Sequence, residues 1–115
     1  MLPDGMEIEQ DGQVATCRIE MSEVTHLEMQ EMIDECMQIM RHDNIRNFVF
    51  DLSHVEFLAS SCIGALVSFL QDLEHVKGKI ALANCKENVS FLFKVTRLDS
   101  VFAIYDDVQD AIASL

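Results

Sequence analysis

Ser60, Ser61 and Cys62 place two hydroxyls and a thiol side by side, after the apolar triplet FLA and before a second apolar run, IGALVSFL. Such a trio, set where one buried element stops and another begins, can cap a helix, act as a nucleophile, or receive a transferred group. Nucleophilic use asks for a sharp strand–turn–helix elbow of the G-x-S-x-G type and a base held against the hydroxyl. Glycines are absent at that spacing around Ser60, Ser61 and Cys62. The four histidines, His26, His42, His54 and His75, show no reason to converge on this point. Hydrolysis through Ser60 or Cys62 is therefore the weakest of the three uses, and the sequence reads as a non-enzyme.

Asp51, at the end of the run NFVFD, raises a second possibility: a phosphate-accepting aspartate of the response-regulator receiver kind. That chemistry needs an acidic pair after the first strand to hold Mg²⁺ and a lysine late in the chain. Here the first strand runs into Asp11-Gly12, and no lysine follows the last strand. The remaining use makes Ser60 a substrate. A phosphate adds about −1.5 to −2 charges, which a helix N-terminus tolerates because its leading amides and its dipole face the anion. Modification there changes the surface and leaves the fold standing.

The elements that must position these groups follow from periodicity. MEIEQDGQVATCRIE reads as an antiparallel hairpin, with strands near 6–10 and 13–20 around an Asp-Gly turn. The segment 22–44 reads as a helix, because Met29, Met32, Ile33, Cys36, Ile39 and Met40 recur at three- and four-residue steps. NFVFDL is a continuous apolar strand of the sort covered on both faces. A second helix spans 60–76, with Ile63, Leu66, Val67, Leu70 and Leu73 inward and Gly78 as its stop. Ser60 is its expected N-cap, with Ala59 as the alternative, and Gly64 is expected to let the helix approach a neighbouring strand closely. KIALAN is a strand, KENVSFLFKVTRL a short helix, VFAIY a strand, and DDVQDAIASL a closing helix capped by Asp106 or Asp107. The order β-β-α-β-α-β-α-β-α implies an α/β fold: a mixed sheet of about five strands with helices packed against it.

Composition narrows the function classes. The 115 residues suit one domain, 1–115, with 1–5 expected to fray. A net charge of −12 repels phosphate backbones and argues against nucleic acid, while it can steer a basic partner patch onto the surface. The apolar runs fall short of a membrane span and the N-terminus carries no basic or apolar signal, so the expected location is cytoplasmic. Cys17, Cys36, Cys62 and Cys85 lack the close spacing of metal or dithiol motifs and read as packing residues. Cys62, at a helix start, also has the setting for a lowered thiol pKa. No metal and no cofactor are expected.

FVFDLSHVEFLASSCIGALVSFLQDLE resembles the core of the STAS domain, the fold of bacterial anti-sigma factor antagonists. The family pattern is an apolar strand, D-L-S, V-x-F, and then a D-S-S/T-G-L/I-type turn into a helix. Asp51, Leu52 and Ser53 match the first part, Val55 and Phe57 the second, and Ser60, Ser61, Ile63 and Gly64 the third. FLFKVTRLDSVFAIYDDVQDAIASL looks like the family's third helix, fifth strand and closing helix. Two positions depart: Ala59 stands where the family has an acid, and Cys62 where it has a glycine. The resemblance implies a regulatory binding protein whose partner is an anti-sigma factor with serine-kinase activity. The kinase would use ATP and Mg²⁺ to phosphorylate Ser60, with Ser61 the runner-up. The implied contact surface centres on Asp51, Ser53, His54, Ala59, Ser60, Ser61 and Cys62. The alternative expectation is a non-phosphorylated STAS scaffold in a regulatory or transporter-accessory complex. Oligomeric state is left open.

Overall fold

The computed structural model describes residues 2–115. Five strands form the main sheet in the order β1-β2-β4-β6-β7: β1 (Met6–Asp11), β2 (Val14–Ile19), β4 (Asn47–Asp51), β6 (Lys79–Ala83) and β7 (Ala103–Tyr105). β1 and β2 are antiparallel around Gly12, whose φ of 63° is the left-handed conformation that this turn demands. The remaining pairs are parallel. The helices α1 (His26–Asp43), α2 (Ser60–Glu74), α3 (Glu87–Val95) and α4 (Val108–Ala113) fill the crossovers and the end of the chain. This is the architecture that the alternation of apolar patterns implies. Near the start of the chain the Met6 amide donates to the Pro3 carbonyl and the Glu20 amide to the Gly5 carbonyl. Met1, the first of the residues expected to fray, lies outside the described residues.

Strand alternation sends Ala15, Cys17, Ile19, Phe48, Phe50, Ile80 and Leu82 to one face, where Met29, Met32, Ile33 and Cys36 of α1 and Ile63, Leu66, Phe69 and Leu73 of α2 cover them. Phe48 and Phe69 meet edge to face with ring centroids 5.1 Å apart, locking α2 onto the central strand. The other face carries Val49, Ala81 and Ala83 under Ala111 of α4, a smaller core beneath a shorter helix.

Three local features differ from the sequence reading. First, 22–25 does not begin a helix. Glu23–Val24 form a two-residue strand, β3, paired in parallel with β5 (Phe57–Leu58). α1 then starts after Thr25, where a capping box holds it: the Thr25 amide donates to Glu28 Oε1 at 3.0 Å, and the Thr25 hydroxyl accepts from the Glu28 amide at 3.4 Å. Second, the left-handed residue that ends α2 is Lys77, at φ 61°, not Gly78. Gly78 is needed for space, because a Cβ there would collide with the Arg46 carbonyl oxygen and the Leu73 side chain. Third, Gly64 faces open solvent; a Cβ would meet nothing within 4 Å, so close strand approach is not its purpose.

Candidate functional site at the start of the second helix

β3 and β5 build the site. The Ser22 carbonyl accepts from the amides of Glu56 and Phe57 at 2.8 and 3.0 Å, and the Val24 carbonyl from the amide of Ala59 at 3.2 Å. This ribbon carries the chain out of the main sheet and sets the N-terminus of α2 beside that of α1. The two starts differ: α1 has its capping box, whereas no side chain caps α2. The N-cap is Ala59, at φ −59° and ψ 141°, so Ser60 becomes the first helical residue instead of the cap. An extended backbone at 59 is imposed by the bond to Val24, and the helix can turn in only after it. Ser60 and Ser61 are both exposed on the uncapped turn; the Cys62 amide donates to the Ala59 carbonyl at 2.8 Å, and no side chain caps the Ser60 and Ser61 amides, which lead the helix.

The other candidate residues divide sharply. Ala59 and His54 are exposed and Ser53 is half-buried, with Ser53 Oγ and His54 Nδ1 3.2 Å apart. Cys62 is fully buried and Asp51 nearly so, its side chain 10 % exposed. Asp51 points to the α4 side of the sheet, away from α2. Its Oδ1 accepts from the Ser53 amide at 3.2 Å and from Asn84 Nδ2 at 3.1 Å, and its Oδ2 lies 3.7 Å from Arg18 Nε. Arg18 is Asp51's cross-strand neighbour and reaches Glu7 on its other side, so charge balance runs across three strands. Asp51 thus holds two loops in place, the one after β4 and the one after β6. Cys62 turns under the ribbon, its Sγ 3.5 Å from the Val24 carbonyl oxygen. Burial pushes its thiol up, offset in part by the backbone bond to Ala59, and the charge of Glu28 pushes it further up. The lowered thiol suggested by its place at a helix start does not arise, because desolvation outweighs the backbone.

The sequence reading missed two contributors. Phe57 is 60 % exposed, and His26 opens α1. Phe57 stands between two shallow depressions. One, of about 330 Å³, runs past Val24, Thr25, His26, Leu58 and Ala59; the other, of about 370 Å³, meets Glu56, Lys86, Glu87 and Asn88. A signal was available for Phe57: a large aromatic two residues before a polar turn, in a stretch too short to bury both faces. For His26 there was none, since only the β3–β5 pairing brings it near the cap. Among the described residues no three His, Cys, Asp or Glu side chains are placed to hold a metal, and no helix is long and apolar enough to cross a membrane.

An exposed aromatic, two shallow hollows and a hydroxyl on an uncapped helix start are thus brought together at one end of the fold, and known proteins resemble the chain that carries them. A candidate anti-sigma factor antagonist of Thermotoga neapolitana, a TM1081 homolog, is 34 % identical over 61 residues. That alignment takes in 53 % of this chain and 54 % of the relative, so the chain spans about half the length of this curated relative. The unphosphorylated form of the anti-sigma factor antagonist SpoIIAA superposes with a TM-score of 0.82 at 18 % identity, covering 93 % of this chain and 92 % of that one. The phosphorylated form of SpoIIAA, a Bacillus cell fate determinant, gives a TM-score of 0.75 at 16 % identity, with 95 % and 97 % covered. These two share the fold. The STAS domain family matches residues 6–111, through β1, the ribbon, the α2 start and α4 alike, and the chain belongs to that family.

Proposed function

We propose that this STAS domain acts as an anti-sigma factor antagonist: it docks an anti-sigma factor with serine-kinase activity over the start of α2, and phosphorylation of Ser60 by that kinase switches the docking off. Ser61 is the runner-up acceptor. The observation that carries the reading is the exposed Ser60 on an uncapped helix start, beside the exposed Phe57. ATP and Mg²⁺ belong to the kinase; this chain contributes the hydroxyl and needs no cofactor. Once added, the phosphate faces the leading amides of α2 and leaves the helix intact. To a partner it presents a dianion on a protein already at −12, and an interface of roughly 800 Å² per partner cannot close over it without desolvating it. The reading places the protein in the cytoplasm with its partner.

The test uses the full chain and its genomic-neighbour kinase with ATP, read by mass spectrometry of the peptide holding Ser60 and Ser61. One phosphate is expected on that peptide, abolished in Ser60→Ala. Ser60→Asp is expected to weaken binding at least tenfold with its thermal midpoint unchanged. Phosphate lost only in Ser61→Ala moves the acceptor by one residue. No phosphate, together with equal binding by Ser60→Asp, overturns the switch and leaves a constitutive STAS scaffold.

A further inference from the structure

Cys17 and Cys36 lie 19 positions apart in the sequence, yet their Sγ atoms are 3.3 Å apart in the core. Cys17 is on β2, in the interior of the main sheet, and Cys36 is in the middle of α1, the helix packed across it. Both side chains are fully buried. The other two cysteines have no such neighbour: Cys62 is bonded to Val24, and Cys85 sits in the loop after β6.

We propose that Cys17 and Cys36 are a latent cross-linking site, a dithiol that closes to a disulfide with an oxidant of the disulfide class and pins α1 to the sheet. A disulfide bond is about 2.0 Å long, so the sulfurs, 3.3 Å apart, must approach by little more than about 1 Å. The chemistry runs in two exchanges. The thiolate of one cysteine attacks a sulfur of oxidised glutathione; that S–S bond breaks, and one glutathione thiolate leaves and takes up a proton. The thiolate of the second cysteine attacks the protein-side sulfur of the mixed disulfide, expelling the second glutathione, which is protonated in turn. The protein loses two protons and two electrons, and the oxidant gains them.

Burial governs the rate. Desolvation first, and the Cys36 contact after it, push the Cys17 thiol well above its ordinary value, so the closed protein offers no thiolate there. Reaction proceeds through transient opening of α1 from the sheet, and reclosing then shields the product from reductants. This explains how a core can hold two touching thiols that stay reduced at rest and yet retain a memory of oxidation.

The experiment treats the 115-residue chain with oxidised glutathione under native conditions, in moderate urea and in strong denaturant, and maps disulfides by non-reducing digestion. The expected native product is the Cys17–Cys36 cross-link, with two hydrogens lost from the intact mass, formed faster in moderate urea. In strong denaturant, the three pairs of successive cysteines should form in comparable amounts, because their separations are similar. Cys62→Ala/Cys85→Ala retains only the proposed pair, and its oxidised form should unfold at higher urea than its reduced form. A native product distribution like that of the denatured chain, no intramolecular cross-link even in moderate urea, or an oxidised double variant less stable than the reduced one would each overturn the proposal.

Discussion

The thiol of Cys62 sits 3.5 Å from the carbonyl oxygen of Val24, so the first turn of α2 is latched to the strand that leads into α1. The family's glycine at this position could not make that latch. The side chain that departs from the family pattern is thus turned inward and adds nothing to the exposed surface around Ser60 and Ser61.

Cys62→Gly therefore removes a fully buried side chain and adds a helical glycine. The lost packing and the backbone entropy together should cost about 2–3 kcal/mol, read as a lower urea midpoint. Cys62→Ala, which keeps the helix propensity, should lose about half of that. Equal stability of the glycine variant and the parent would show that the latch contributes nothing.

Asp51 makes a second, independent prediction. Replacing it by Ala leaves Arg18, Asn84 and the Ser53 amide without their shared acceptor. Arg18 keeps Glu7, so the loss is chiefly that of the two hydrogen bonds from Asn84 and the Ser53 amide, about 1–2 kcal/mol, and Asp51→Asn should cost less because it keeps the volume and one acceptor. Amide exchange should quicken around Ser53 and Asn84 more than within α2. Uniform quickening over the whole chain would instead mean that Asp51 supports the fold at large.

The main sheet and all four helices were legible because each buries a stripe with its own period: alternation in β2, and three- and four-residue steps in α1 and α2. β3 and β5 were not, since a two-residue strand has no period to read and its pairing is fixed by contacts 34 residues apart. The same gap explains the site. Ser60 could be placed at the start of α2 from the run IGALVSFL, but the extended conformation of Ala59 is dictated by Val24 across the ribbon. Asp51 was misplaced because strand alternation decides its face: with Phe48 and Phe50 turned toward α1 and α2, position 51 turns the other way.

Cys85 sets a pH dependence. Burial, and after it the charge of Asp51, push its thiol up to about 11 from an ordinary 9.0. The folded chain then holds a proton that the unfolded chain releases, so this contribution is complete below pH 9 and is lost as pH rises through about 11. At about 1.4 kcal/mol per unit, the loss approaches 2–3 kcal/mol across that window. The buried Cys17 and Cys62 act in the same direction. Cys85→Ala should flatten the fall in urea midpoint between pH 9 and 11 without reversing it. A slope identical to the parent's would mean that Cys85 is already ionised in the native state.

Gly64 lies one turn beyond Ser60 and Ser61 on the same face, with open space where a Cβ would stand. Nothing inside the protein requires a glycine there. Gly64→Ala should raise stability by about 1 kcal/mol. If the partner packs flush against bare helix backbone, the same change should weaken docking roughly tenfold, equivalent to about 1.4 kcal/mol. Stability up and binding down is the expected combination; both unchanged would leave the glycine without a role on this face.

Ala59→Asp restores the family's acid at an N-cap that lacks a side-chain acceptor. The backbone bond from the Ala59 amide to the Val24 carbonyl does not depend on the side chain, so the extended conformation should persist. An aspartate there can accept from an amide of the first turn and place negative charge against the positive end of the helix, which stabilises by about 1 kcal/mol. The same carboxylate stands next to the Ser60 hydroxyl, where it can orient the group for transfer. The expected outcome is a higher urea midpoint and faster phosphate incorporation by the kinase. A higher midpoint with unchanged incorporation would confine the missing acid to stability, and a lower midpoint would show that the turn at 59 cannot accept a capping side chain.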